Sequence, residues 1–228
     1  MTLTRGLATR DEMPIQRSIK PPAGRRARAE GDAPGLFFRS FLERPREVGS
    51  IIPSSRFLER RVARVAALRD ARVVVELGPG TGGTTQALLR AMRPDARALA
   101  IEINPRLAER VRRRLPDPRL LVHAGSAAEI AEALGAHDLD APDVVISGIP
   151  FSTMPRPLAL AILRAVRDVL APGGRFVAYQ VRDRVAVLAR EVFAPPSTVA
   201  LEVRNVPPMR VYRFDGPARG SSTSPRLR

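Results

Sequence analysis

The chain has 228 residues, no cysteine, two histidines and a formal charge of +15, a length that suits one domain with extensions. Lacking cysteine, it has no disulfide, thiolate nucleophile or Cys-bound zinc, and His123 and His137 are too far apart for a helical metal motif, so no metal is expected. Lys20 stands alone as a lysine, in a terminal stretch rich in proline and glycine, which excludes a P-loop lysine, a Schiff-base lysine and the Tyr-x-x-x-Lys pair of short-chain dehydrogenases.

Residues 1–34 hold Pro14, Pro21, Pro22, Gly24, Gly31 and Pro34 without an apolar period and read as a disordered basic tail. Residues 216–228 have the same character. No run reaches the roughly 18 apolar residues of a membrane-spanning helix and no secretory signal opens the chain, so a cytoplasmic protein is expected. The charge points to an anionic partner, with RNA, DNA and a membrane surface as candidates, although part of the arginine excess can come from the base composition of the source genome.

From Gly35 onward, Leu36, Phe37, Phe38, Phe41 and Leu42 alternate with Arg39, Ser40, Glu43 and Arg44, which predicts an amphipathic helix over 36–44, ended by Pro45. Two fates fit it: packing on the domain, or lying in an anionic membrane interface on the inner face of the membrane. A loop over 48–55 follows, and Ser54 or Ser55 can cap a helix whose apolar face is Leu58, Val62 and Val65. These pieces form a helical extension, 35–72, ahead of the main domain at 73–215.

The domain reads as alternating strands and helices. Strands are expected at 73–77, 99–103, 120–123, 144–147 and 176–179, and helices at 84–92, 105–115, 127–134, 157–170 and 183–193. Two last strands, 201–206 and 210–214, are separated by Pro207, Pro208 and Met209, too short a link for a crossover helix, so they should form an antiparallel hairpin. The expected fold is an α/β three-layer sandwich, a Rossmann-like sheet of seven strands with the last strand antiparallel.

Glu76, Gly78, Gly80, Thr81 and Gly82 follow the first strand, at the edge where open α/β sheets bind ligands. Gly78, Gly80 and Gly83 also satisfy G-x-G-x-x-G, with Glu102 about 20 residues on, so a nicotinamide dinucleotide has to be weighed. Glu76 argues against it, because a carboxylate beside the loop repels a pyrophosphate. The pattern E-x-G-x-G-x-G resembles the first motif of class I methyltransferases, and Glu102 matches the acid that ends their second strand. The resemblance implies S-adenosylmethionine as cofactor, with Glu76 near its methionine end, Glu102 on the ribose hydroxyls and Ile103 against adenine. It further implies cofactor contacts at Ser126 and Ala127 and at Ser147 and Gly148. Ser126 departs from the acid that the family commonly carries there.

For the acceptor, Gly148-Ile149-Pro150-Phe151 overlays the Asn-x-Pro-Tyr/Phe motif of ribosomal RNA adenine dimethyltransferases. Gly148 removes the amide that accepts hydrogen bonds from the target amino group, leaving RNA supported mainly by charge. Several segments taken together, Phe-Phe-Arg-Ser-Phe-Leu-Glu-Arg-Pro (37–45), Val-Gly-Ser-Ile-Ile-Pro-Ser-Ser (48–55), Glu-Leu-Gly-Pro-Gly-Thr-Gly (76–82), Glu-Ile-Asn-Pro (102–105), Ser-Gly-Ile-Pro-Phe (147–151) and Asn-Val-Pro-Pro-Met-Arg-Val-Tyr (205–212), are similar to the bacterial phospholipid N-methyltransferase family. The similarity implies methylation of a phosphatidylethanolamine-like amine and attachment to anionic membranes through the helix at 36–44. It departs at Tyr179-Gln180-Val181, where family members carry Phe-Thr-Tyr.

On this reading Tyr179 and Phe151 line the acceptor pocket by cation-π attraction, and Tyr179 relays the amine proton. Both also fit as core aromatics. Arg182 and Arg210 are candidates for a lipid phosphate. The alternatives are an rRNA adenine N6-methyltransferase and an N-methyltransferase of a peptide or small natural product.

Overall fold

The computed structural model describes residues 54–218. The tails, the helix expected at 36–44 and most of the 48–55 loop lie outside that range.

Helix α1 (Arg56–Val65) begins at Ser55, whose hydroxyl accepts from the Leu58 amide and satisfies one free N–H of the first turn. Its apolar face, Leu58 and Val62, is fully buried. The guanidinium of Arg175 caps the far end by donating to the Ala66 and Ala67 carbonyls. The alternation then unfolds as β1 (Val73–Leu77), α2 (Gly83–Ala91), β2 (Arg97–Glu102), α3 (Pro105–Arg114), β3 (Leu120–Ala124), α4 (Ile130–Ala136), β4 (Val144–Ser147), α5 (Arg156–Val169), β5 (Arg175–Gln180), α6 (Arg184–Ala189), β6 (Thr198–Glu202) and β7 (Met209–Asp215).

The seven strands form one sheet in the order β3-β2-β1-β4-β5-β7-β6. β1 to β5 are parallel; β7 runs antiparallel to both β5 and β6, as expected of the last strand. β1 is buried along its whole length, as a central parallel strand covered on both faces must be. Successive side chains point to opposite faces. Val74, Val144, Ile146 and Val177 face α1 and α2, and Ala100 and Val122 meet Ala108 and Val111 of α3 on that same face. Val75, Leu77, Val145 and Phe176 face α4 to α6.

Most boundaries fall within three residues of the sequence reading, and two ends are off by four. The helix expected over 183–193 stops at Ala189. Beyond it the Val192 amide donates to the carbonyl three residues back, at Ala189, bringing the Phe193 ring to 5.7 Å from Phe176 and 5.8 Å from Phe214. The hairpin holds the other. β6 ends at Glu202, so the link is the six residues 203–208, and Val203 and Val206 lie in it rather than in a strand.

Candidate active site

The strand order reverses between β1 and β4, the point at which open α/β sheets bind ligands in the crevice outside the carboxyl ends of their strands. The loop after β1 turns through Gly78, Gly80 and Gly82, with φ of 74°, 55° and 83°, values that favour residues without a Cβ. Gly78 also lies against β4's loop, where a Cβ would sit 3.1 Å from the Ile149 side chain. The Gly78 amide donates to the Ile101 carbonyl, and Gly82 caps the start of α2.

Two buried carboxylates lie beneath this loop. Glu102 is already employed: one oxygen accepts from the Gly80 amide and the other from the Asn104 amide, each at 3.0 Å. Its pKa is raised by burial, an effect those backbone donors oppose. A carboxylate has about four acceptor positions, so sites remain for two hydroxyls. Glu76 differs. Both its oxygens are buried without a hydrogen-bond partner, as is the neighbouring Thr85 hydroxyl. Burial pushes the Glu76 carboxyl up to about 7; the Thr85 hydroxyl beside it opposes the rise and the charge of Glu102 adds to it. An unpaired buried carboxylate is costly; a cationic ligand would offset that cost.

Around the crevice, Ile103 is half-buried. Ser126 caps the turn before α4 by accepting from the Ala128 amide at 3.1 Å, leaving its O–H free to donate. Ala127 is buried. Ser147 is buried and accepts from the Ile149 amide at 3.2 Å, while the Gly148 amide donates to the Leu77 carbonyl. Thr81 is half-buried, its carbonyl accepting from Arg114 at 3.0 Å.

The two aromatics do not share a pocket. Phe151 is fully buried in the α4–α6 layer, whereas Tyr179 points to the opposite face of the sheet among the residues facing α1 and α2. A cation-π pair wrapped around one ammonium is therefore corrected to a single aromatic, Tyr179, at the crevice. Burial, then the charge of Glu76, raises the phenol well above its ordinary value, which disfavours a free phenolate as base and leaves a proton relay only through the intact hydroxyl.

Tyr179 is 31 residues from Gly148 yet fills its space: a Cβ on Gly148 would collide with the Tyr179 hydroxyl and stand 2.9 Å from Cζ and 3.5 Å from the Gly78 carbonyl oxygen. The phenol thus occupies the position toward which a longer residue 148 would project. Its hydroxyl donates to Thr84 at 3.4 Å, and Thr84 donates to Ser54 at 3.2 Å. Next to Ser54, the Ser55 amide donates to Asn205 at 2.9 Å, and Asn205, itself buried, donates to the Pro207 carbonyl at 2.9 Å. Gln180 ties β5 to the Ile149 carbonyl. Thr84, Ser54, Asn205 and Gln180 were not among the site residues expected from the sequence, although the 48–55 and 205–212 segments quoted there are the two that meet at Ser55 and Asn205. Among the described residues no group of His, Asp and Glu is arranged to hold a metal.

Fold and site define an α/β domain with a glycine-rich loop set over two buried carboxylates at the switch point of its sheet. Residues 74–174 match the model of a methyltransferase domain. The ornithine lipid N-methyltransferase of Singulisphaera acidiphila is 33% identical over 78% of this chain and 93% of its own length. The ribosomal RNA small subunit methyltransferase A of Leifsonia xyli subsp. xyli is 34% identical over 62% of this chain but 49% of its own length. Among solved structures, the N-methyltransferase NodS from Bradyrhizobium japonicum WM9 superposes with a TM-score of 0.57 at 16% identity, covering 70% of this chain and 94% of its own. The O-methyltransferase TomG from Streptomyces achromogenes, in complex with S-adenosylmethionine, does so with 0.57 at 19% identity, covering 83% and 91%. The chain belongs to the class I S-adenosylmethionine-dependent methyltransferases, in their bacterial lipid N-methyltransferase-like branch.

Proposed function

We propose that this methyltransferase transfers methyl groups to an aliphatic amine, the amino group of a membrane lipid headgroup. The observation that carries this reading is the Gly148–Tyr179 pair. An amide side chain at position 148, suited to a planar amino-purine, has no room beside the phenol. The similarity to the ornithine lipid enzyme over most of both chains supports the same class of acceptor.

The residues present fit S-adenosylmethionine, which when bound supplies a sulfonium methyl group for in-line displacement by a neutral nitrogen. Glu76 is the carboxylate without a partner and suits the cofactor's cationic methionine end, and the half-filled lone pairs of Glu102 suit vicinal ribose hydroxyls. Gly78, Gly80, Thr81 and Gly82 let the backbone approach closely. Ile103 and Ala127 would flank the adenine, Ser126 would offer its free O–H, and Ser147 and Gly148 would form the floor toward β4. Tyr179, whose proton is directed at Thr84, presents its oxygen lone pair to the crevice. That oxygen can accept an N–H of the acceptor and aim the nitrogen's lone pair at the methyl carbon, a contribution of alignment rather than of acid–base chemistry.

The ribosomal RNA relatives favour a second reading, an adenine acceptor, which the glycine at 148 opposes. Incubation with labelled S-adenosylmethionine and separate lipid, RNA and peptide extracts tests both: label is expected in the lipid fraction, and label confined to RNA or peptide refutes the lipid reading.

A further inference from the structure

We propose that the carboxyl edge of the sheet at its β5–β7 end docks on an anionic lipid surface, with Val181, Val203 and Val206 entering the interface and Arg182, Arg204 and Arg210 meeting the headgroups. The proposal rests on the lipid-headgroup reading above and names the surface that would bring the lipid to the crevice.

Because β6 is antiparallel to β7 and β7 to β5, β6 runs in the same direction as β1 to β5. Its end at Glu202 therefore emerges at the edge that carries the Gly78 and Gly148 loops, as does the end of β5 at Gln180. At that edge Val181, Val203 and Val206 are 43%, 63% and 84% exposed. Single exposed valines are ordinary on a soluble surface; these three follow strands that end at one edge of the sheet.

The turn that presents them is braced. Glu202 is buried and holds Arg61 at 2.8 Å and Arg204 at 3.0 Å, Asn205 is fixed from Ser55, and Arg204 lies over the Phe57 ring at 4.1 Å. The apolar tips thus project from a fixed support and need no ordering on contact. Arg182, Arg204 and Arg210 are exposed beside them, with Asp183 the one exposed acid in the adjoining sequence. Apolar tips within a ring of arginines match the layering of an anionic bilayer, where hydrocarbon lies beneath phosphate. A headgroup amine could then reach Tyr179 without its acyl chains leaving the membrane.

The test uses the full chain and vesicles of phosphatidylglycerol with phosphatidylcholine, compared with phosphatidylcholine alone. Sedimentation measures partition of the wild type and of the V203S/V206S double variant, and turnover is read on a short-chain amino lipid below its micelle concentration. Partition onto anionic vesicles is expected to fall roughly tenfold in the variant, with turnover on the monomeric lipid unchanged. Equal partition of variant and wild type overturns the docking surface while leaving the acceptor reading intact. Patch-dependent partition without methylation of any lipid upholds the surface and sinks the acceptor reading. If gel filtration shows the substitutions dissociating a dimer with no loss of vesicle binding, the occupant is a second copy and the proposal falls.

Discussion

Replacing Glu76 by glutamine removes a charge that the fold holds at a cost. The carboxyl titrates near 4.5 when unperturbed and is pushed up to about 7 by burial. The stabilising contribution of the protonated group is fully present below pH 4.5 and is lost as pH rises through about 7. At 1.36 kcal/mol per pH unit the difference amounts to roughly 3 kcal/mol once the group is ionised. The amide is neutral throughout but stays unpaired in the same place, so the cofactor-free variant should exceed the wild type at pH 8 by on the order of 2–3 kcal/mol, or roughly 5–10 °C in melting temperature. At pH 5 the two should melt together. Thermal unfolding at both pH values checks this, and an equal difference at pH 5 and pH 8 would refute the link between burial of Glu76 and stability. The same residue should make cofactor binding proton-linked. A cationic ligand lowers the Glu76 pKa, so binding at pH 6.5 releases a proton, visible as a dependence of the calorimetric heat on buffer ionisation enthalpy and absent in the variant.

Gly148→Ala should destabilise by about 1–3 kcal/mol through overpacking against Tyr179, and Tyr179→Phe should recover part of that loss in denaturant titrations, a non-additivity expected of side chains in contact. Tyr179→Phe alone should lower kcat severalfold without moving the alkaline limb of the pH–rate profile, because the phenol stays protonated; a displaced limb would restore a phenolate base. Glu102→Gln keeps only one acceptor for the Gly80 and Asn104 amides and should weaken cofactor binding about 10–100-fold by titration calorimetry, an effect of about 1.4–2.7 kcal/mol. Asn205→Ala leaves the Ser55 amide without its acceptor and should cost roughly 1–3 kcal/mol of stability, measured by urea unfolding.

The glycine loop and its two carboxylates were legible because they are local. A run of β-branched residues marks β1 as buried, the glycines follow it directly, and Glu76 and Glu102 lie near the ends of apolar runs that read as strands. The acceptor half is assembled from distant pieces. Nothing in the local sequence says that Gly148 leaves room for Tyr179, or that Ser54 and Thr84 continue from its hydroxyl. Phe151 was misassigned for a related reason. An aromatic after β4 suits either face, and the packing around α5 drew it inward. Val203 continued the apolar pattern of β6, but the chain leaves the ladder after Glu202, whose carboxylate accepts from the Arg204 amide at 3.0 Å. The helix at 183–193 was overextended because packing of Phe193 against Phe176 and Phe214, a tertiary demand, overrode its helical period.

Ser54 and Ser55 precede every described helix and strand, yet one touches the hydroxyl line that leads to Tyr179 and the other holds the hairpin turn. The enzyme is thus divisible in an unexpected place. Compared with a chain trimmed to begin at Ser54, one trimmed to begin at Arg56 would retain the whole sheet and the glycine loop, and should still bind its cofactor, but Thr84 would lose its acceptor and Asn205 its donor. Cofactor affinity and turnover would come apart between two chains that differ only by Ser54 and Ser55.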